Sequence, residues 1–199
     1  MAALVSHRPA TELGSLHFNR VRMIVATLIM GTLLIVSGRP AAIPPEFWLP
    51  IMLSAVTGVV LGDFFLFVTM RRLGPRRTNV LFATNAVFAA IIGWVILGEV
   101  VSARTAMAVL LGFGGVVLAV VFGKRRDLLH KWESVMPPLW IGVVAGLLAA
   151  ICQAFGVVFA RPVMAAGVDP VAVTLARAVV GAAVFWATLP FDRSRVGMP

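Results

Sequence analysis

Asp63 is the only acidic residue placed well inside a long apolar run, residues 48–70. A carboxylate at that depth costs about 2.5–3.5 kcal/mol on insertion scales, so such groups face a bundle interior or a wet cavity. A titratable group held there suits proton coupling; the structural alternative is a hydrogen bond to a neighbouring helix. Asn85, inside the run 79–97, can donate and accept toward a substrate, or cross-link two helices. Thr78, Asn85, Ile92 and Glu99 recur every seven residues, so three polar groups share one helix face. Glu99, at the outer end of that face, suits an interfacial or loop-fastening role. Gln153 projects from an otherwise small-residue face and is either a cross-link or a cavity wall. Arg22 and Arg177 each stand near the end of an apolar run, where an arginine can snorkel or pair with an acid. The lone Cys152 and three histidines, all outside the apolar runs, give no support to zinc sites, disulfides or Cys/His catalysis. An intramembrane protease would need a buried Ser–His pair or two aspartates at catalytic distance. Neither is present, so no enzyme and no cofactor is expected.

The elements that must carry these residues follow from composition. The chain has 199 residues, 60% hydrophobic and 13% charged, against roughly half and one quarter in soluble domains. A soluble globule could not hide that much apolar surface, so the solvent is largely lipid. A transmembrane helix needs about 20 apolar residues, and six segments come close: 21–37, 48–70, 79–97, 103–122, 139–160 and 171–190. The fold class is therefore an all-α membrane protein. Turn chemistry separates the segments: Gly38-Arg39-Pro40, Pro44-Pro45, Gly74-Pro75, Gly123, Pro137-Pro138 and Asp169-Pro170. Small residues supply the packing that lipid cannot drive. Gly142, Gly146, Ala149, Gln153, Gly156 and Ala160 share one helix face; Ala108, Gly112, Gly115 and Ala119 form a second, and Ser54, Gly58 and Gly62 a third.

The net charge of +9 reads as topology rather than nucleic-acid binding. Thirteen Lys and Arg, Arg20 and Arg22 among them, fall on the side of the termini, the 71–77 loop and the linker 123–138. Three fall on the other side. Both termini and the basic loops are thus expected in the cytoplasm. Trp48, Trp94, Trp140 and Trp186 lie near segment ends, as interfacial anchors do.

Arg22 and Arg177 open similar segments, 155 residues and five spans apart. An odd span count inverts the second copy, the architecture of many secondary transporters. Gly58-Val-Val-Leu-Gly62-Asp63 with Arg72-Leu-Gly-Pro-Arg-Arg77 resembles the third span and following loop of EamA-type transporters. Val87 to Glu99, with its Gly-Trp and Leu-Gly-Glu, resembles their fourth span, and Leu111 to Leu118 their glycine-rich fifth. The usual proline before Phe88-Ala89-Ala90 is Ala86 here.

The resemblance implies membership of the drug/metabolite transporter superfamily, with a ten-span bundle of two inverted repeats. It implies a first repeat over 1–122 lacking its first span, a basic linker over 123–138, and the start of a second repeat over 139–199. A partial chain, without the first and last spans, is the corresponding expectation. It further implies a secondary transporter of small metabolites or drugs in a bacterial inner membrane. The alternative is an inactive fragment or structural subunit, completed by another copy or a complementing chain. Lipid is the expected partner, nucleic acid is not, and the residues do not specify the substrate.

Overall fold

A computed structural model describes residues 15–38, 42–98, 102–121 and 137–187, except the side chains of 15–18, 116, 117 and 119–121. Among the described residues every regular element is helical. Helix α1 covers Ser15–Val36. A 3-10 turn, Pro45–Phe47, leads into α2, Trp48–Ser54, which continues through a π-helical stretch, Ala55–Leu61, into α3, Gly62–Phe82. Then follow α4 (Asn85–Leu97), α5 (Ala103–Val121), α6 (Leu139–Ala165) and α7 (Pro170–Ala187). Among the described residues, four stretches are long and apolar enough to cross a membrane: Asn19–Val36, Pro45–Phe82, Leu139–Ala165 and Pro170–Ala187.

Two expectations about the segments change. The run 79–97 is not one helix: α3 extends to Phe82, residues 83–84 turn, and apolar α4 has only 13 residues. Thirteen residues rise about 20 Å, short of a bilayer core. The basic stretch 71–77, expected as a loop, is instead helical on both sides of an elbow at Gly74, where φ is 77° and ψ 166°. Only glycine adopts that backbone without strain, and Pro75, which lacks an N–H, suits the first position of the next arm. Thr69 before the elbow and Leu81 after it both abut Gly146. Along a straight helix those residues would lie about 18 Å apart. The elbow therefore folds the two arms back against the same helix.

The helices pair antiparallel. Arg20 near the start of α1 reaches Phe185 near the end of α7, while Gly31 lies beside Leu175. Along α2, the π stretch and α3, Ile51 packs in a cluster with Ala160 and Val163, Gly58 crosses Gly156, and Leu73 seats on Gly142. One end of the bundle is closed by an apolar cluster of Ile51, Ala160, Val163, Val168, Val173 and Ala176, with Ile43 and Phe47 against it. The connections after α1 and after α6 meet there. Outward-facing apolar side chains, such as Leu28 and Ile29 on α1 and Leu110 and Leu111 on α5, are exposed, as a lipid solvent permits.

The approach of α6 is set by missing side chains. A Cβ on Gly156 would stand 2.5 Å from the Cα of Gly58, and one on Gly142 2.6 Å from Leu73 Cγ. On Gly146 it would stand 2.8 Å from Leu81 Cδ1. At the closest point the Ser54 hydroxyl donates to the Gly156 carbonyl, binding two backbones already in contact. The glycine face of α5 is different: Gly112 and Gly115 meet nothing within 4 Å among the described residues.

Candidate functional site

The central polar group forms where α1 and α7 pass the junction of the π stretch and α3. Asp63 lies in the first turn of α3 and is buried. Its carboxylate receives the Arg22 guanidinium from α1, an ion pair with side-chain exposures of 37% for Arg22 and 12% for Asp63. Arg22 therefore straddles the edge of the bundle while Asp63 is inside it. The Arg22 Nε donates to Asn19 Oδ1 at 3.3 Å, one helical turn back. The Arg22 guanidinium also lies 5.7 Å from the centre of the Phe67 ring, within cation–π range. This orients the head of Arg22 from three sides: acid, amide and ring.

Arg177 arrives from α7. Its Nη2 occupies the space above Gly58, 3.0 Å from where a Cβ would be, beside the Gln153 Oε1 of α6 at 3.5 Å from the same point. That Gln153 oxygen also stands 3.0 Å from the Cβ position of Gly62. The glycines at 58 and 62 thus clear a slot that two polar side chains fill. Arg177 therefore stands beside the Arg22–Asp63 ion pair without a bond of its own to that carboxylate. The Arg177 Nε and the Asn19 Nδ2 are buried without a hydrogen-bond partner among the described residues. Gly181, a turn beyond Arg177, lets α7 close on Val59 and on the Met23 sulfur, 3.3 Å from its Cβ position. Small residues on three elements bring these charges together.

Of the residues singled out from sequence, Asp63, Arg22, Arg177 and Gln153 come together here. Asn85 is placed differently: it opens α4 after the turn at 83–84, half-buried, rather than standing in mid-helix. Glu99 lies outside the described residues, as does the linker except for its last two positions, 137 and 138. Two residues escaped the sequence reading. Arg20, counted there among the topology-setting cations, is only 3% exposed and donates from Nε to the Phe185 carbonyl at 2.8 Å. The last carbonyls of a helix have no internal acceptor role to fill and attract cations, so Arg20 fastens the end of α7 to α1. Asn19, fully buried, was unremarked. Its spacing of three from Arg22 was the available signal. Among the described residues no group of three or more His, Cys, Asp or Glu side chains could hold a metal.

The comparisons agree with this architecture. The sequence profile of the EamA-like transporter family matches residues 1–121. A Drosophila melanogaster protein, Solute carrier family 35 member B1 homolog, is 28% identical over 109 residues, 52% of this chain. The chain spans about a third of that relative, 32% of its length. No solved structure matches. The matched profile includes α1, the elbowed pair of arms carrying Asp63, and the glycine-rich α5, all rich in lipid-facing apolar surface. The protein is integral to a membrane, and it belongs to the EamA-like transporter family.

Proposed function

We propose that this chain forms the charged core of a secondary transporter for small molecules, with Arg22, Asp63 and Arg177 at the moving centre. The observation that carries the reading is a buried carboxylate paired with the Arg22 guanidinium of α1, beside a second guanidinium from α7, at a crossing lined by glycine. Carboxylates inside a membrane bundle mark ion or substrate pathways. Glycine-lined crossings let helix backbones slide without clashing side chains. Protonation of Asp63 would remove its attraction for Arg22 and uncouple α1 from α3, which is the kind of step proton-driven transport requires. Gln153 would then line the pathway, and Asn85 would face it from the start of α4.

The finer topology belongs to the same proposal. Six spans, both termini in the cytoplasm of a bacterial inner membrane, and two inverted repeats within a ten-span bundle would place Arg22 and Arg177 at related positions. Their placement in one polar cluster supports that reading. A second reading, a subunit completed by another copy or a complementing chain, is favoured by the open glycine face at Gly112 and Gly115.

The test is uptake into proteoliposomes under an inward proton gradient, with a panel of radiolabelled amino acids, organic acids and organic cations. Asp63→Asn keeps size and hydrogen bonding but removes the titratable charge. Gradient-driven uptake that survives Asp63→Asn and fails only in Asp63→Leu would make Asp63 a structural hydrogen-bond partner and defeat the coupling role.

A further inference from the structure

Resting on the transporter reading above, we propose that the cluster around Asp63 binds an oxygen-rich anion, a carboxylate or phosphate group, as the charged part of its ligand. Charge is the first argument. Arg22 is paired with Asp63, and Arg177 beside them has no ion-pair partner among the described residues, so the cluster holds two guanidiniums for one carboxylate. Burying an unmatched cation is unfavourable, and an incoming anion supplies the missing partner. An incoming cation would meet two arginines for one acid.

Hydrogen-bond chemistry is the second argument, and it is independent of the first. The Asn19 Nδ2 and the Arg177 Nε are buried without partners among the described residues, and both are N–H donors. A buried donor without an acceptor costs about 1–3 kcal/mol. Two orphan donors call for acceptor oxygens, and neither a cation nor an apolar group brings any. Gln153, whose amide can donate as well as accept, stands at the same glycine-lined slot. Asn19 of α1, Gln153 of α6 and Arg177 of α7 thus bring polar groups into one cluster with the Arg22–Asp63 pair, so a ligand held there would touch three helices. Arg22, partly exposed at the rim, is placed to hand the anion inward.

The source of the anion is either a soluble molecule or an anionic lipid headgroup, and the experiment separates them. The purified 199-residue chain is placed in phosphatidylcholine nanodiscs, and its thermal unfolding midpoint is read. Sodium phosphate and sodium acetate are each compared with sodium chloride at equal ionic strength. Binding should raise the midpoint by roughly 3–5 °C at ten times the Kd. Arg177→Gln should abolish the rise, and Arg177→Lys should retain part of it. Asn19→Leu, an uncharged probe of the same donors should Arg177→Gln misfold, should weaken the apparent affinity at least threefold. An Arg177-dependent rise produced by phosphatidylglycerol but by neither soluble anion would assign the same chemistry to a lipid headgroup. No Arg177-dependent response to any of the three would overturn the proposal. So would stabilisation by tetraphenylphosphonium that is lost in Asp63→Asn, which would leave the transporter reading standing with a cationic substrate. Because the readout is binding, a transport failure in the uptake assay does not imitate either result.

Discussion

Replacing Gly156 by alanine is the sharpest perturbation the structure offers, because the added carbon meets backbone. The new Cβ would sit 2.5 Å from the Gly58 Cα, 2.9 Å from its nitrogen and 3.0 Å from the Ser54 oxygen. No rotamer change relieves contacts of that kind, so α6 must move away from the π stretch by about 1 Å. A gap of 0.5–1 Å forfeits roughly a quarter to a half of each dispersion contact it opens. Overpacking of this sort costs about 1–3 kcal/mol. The Ser54 hydroxyl would also be drawn off the Gly156 carbonyl, a further ~1 kcal/mol. The expected loss is therefore on the order of 2–4 kcal/mol, read as a lowered midpoint in denaturant unfolding from mixed micelles. Gly112→Ala is the matched control: nothing among the described residues lies within 4 Å of that position, and alanine has the better helix propensity. Stability unchanged in Gly156→Ala, or equally reduced in Gly112→Ala, would refute the backbone-contact argument.

Other outcomes follow from the same geometry. Gly146→Leu should force apart α6 and both arms of α3, since Thr69 and Leu81 occupy the space around it; unchanged detergent stability would place that face in lipid. Arg20→Gln should loosen the end of α7 by about 1–3 kcal/mol, because the Phe185 carbonyl loses a buried, charge-assisted donor. Faster amide exchange confined to the last turn of α7 is the signature. Single cysteines at Ser102 and Ser194 should label from opposite sides of the membrane, Ser102 from outside; the reverse pattern would invert the proposed orientation and leave the helix packing untouched.

Much of the packing was legible from small-residue spacing, because a face of Gly and Ala on an apolar helix has few uses other than a close crossing. The faces at 142–160 and 54–62 are the two that meet, with Gly58 against Gly156. The identical signal at 108–119 marks a face that meets nothing among the described residues at Gly112 or Gly115. Spacing reports that a helix can be approached, not which helix approaches it. The elbow was half legible. Gly74-Pro75 announced a break, but the arginines around it disguised two helical arms as a loop. At the site, Asp63 drew attention because a lone buried acid is costly. Arg22 is legible as able to snorkel or to pair with an acid, but nothing in the sequence says which acid. Pairing across 41 residues depends on how α1 is rotated, and charge counting contains no information about rotation.

The π-helical stretch just before Asp63 has a consequence for how that residue is aimed. A π turn closes its hydrogen bond one residue later than an α turn, so it absorbs an extra residue without lengthening the helix to match. Each residue of an α-helix corresponds to about 100° of azimuth. Were one π turn in Ala55–Leu61 to tighten to α geometry, everything beyond it would be re-phased by roughly that angle about the helix axis. Asp63 follows the stretch by two residues, with Gly58, within it, offering little steric resistance to the change. The same small rearrangement of backbone hydrogen bonds would swing the carboxylate from one neighbouring helix toward another, while the apolar contacts of Ile51, on the near side, stayed where they are.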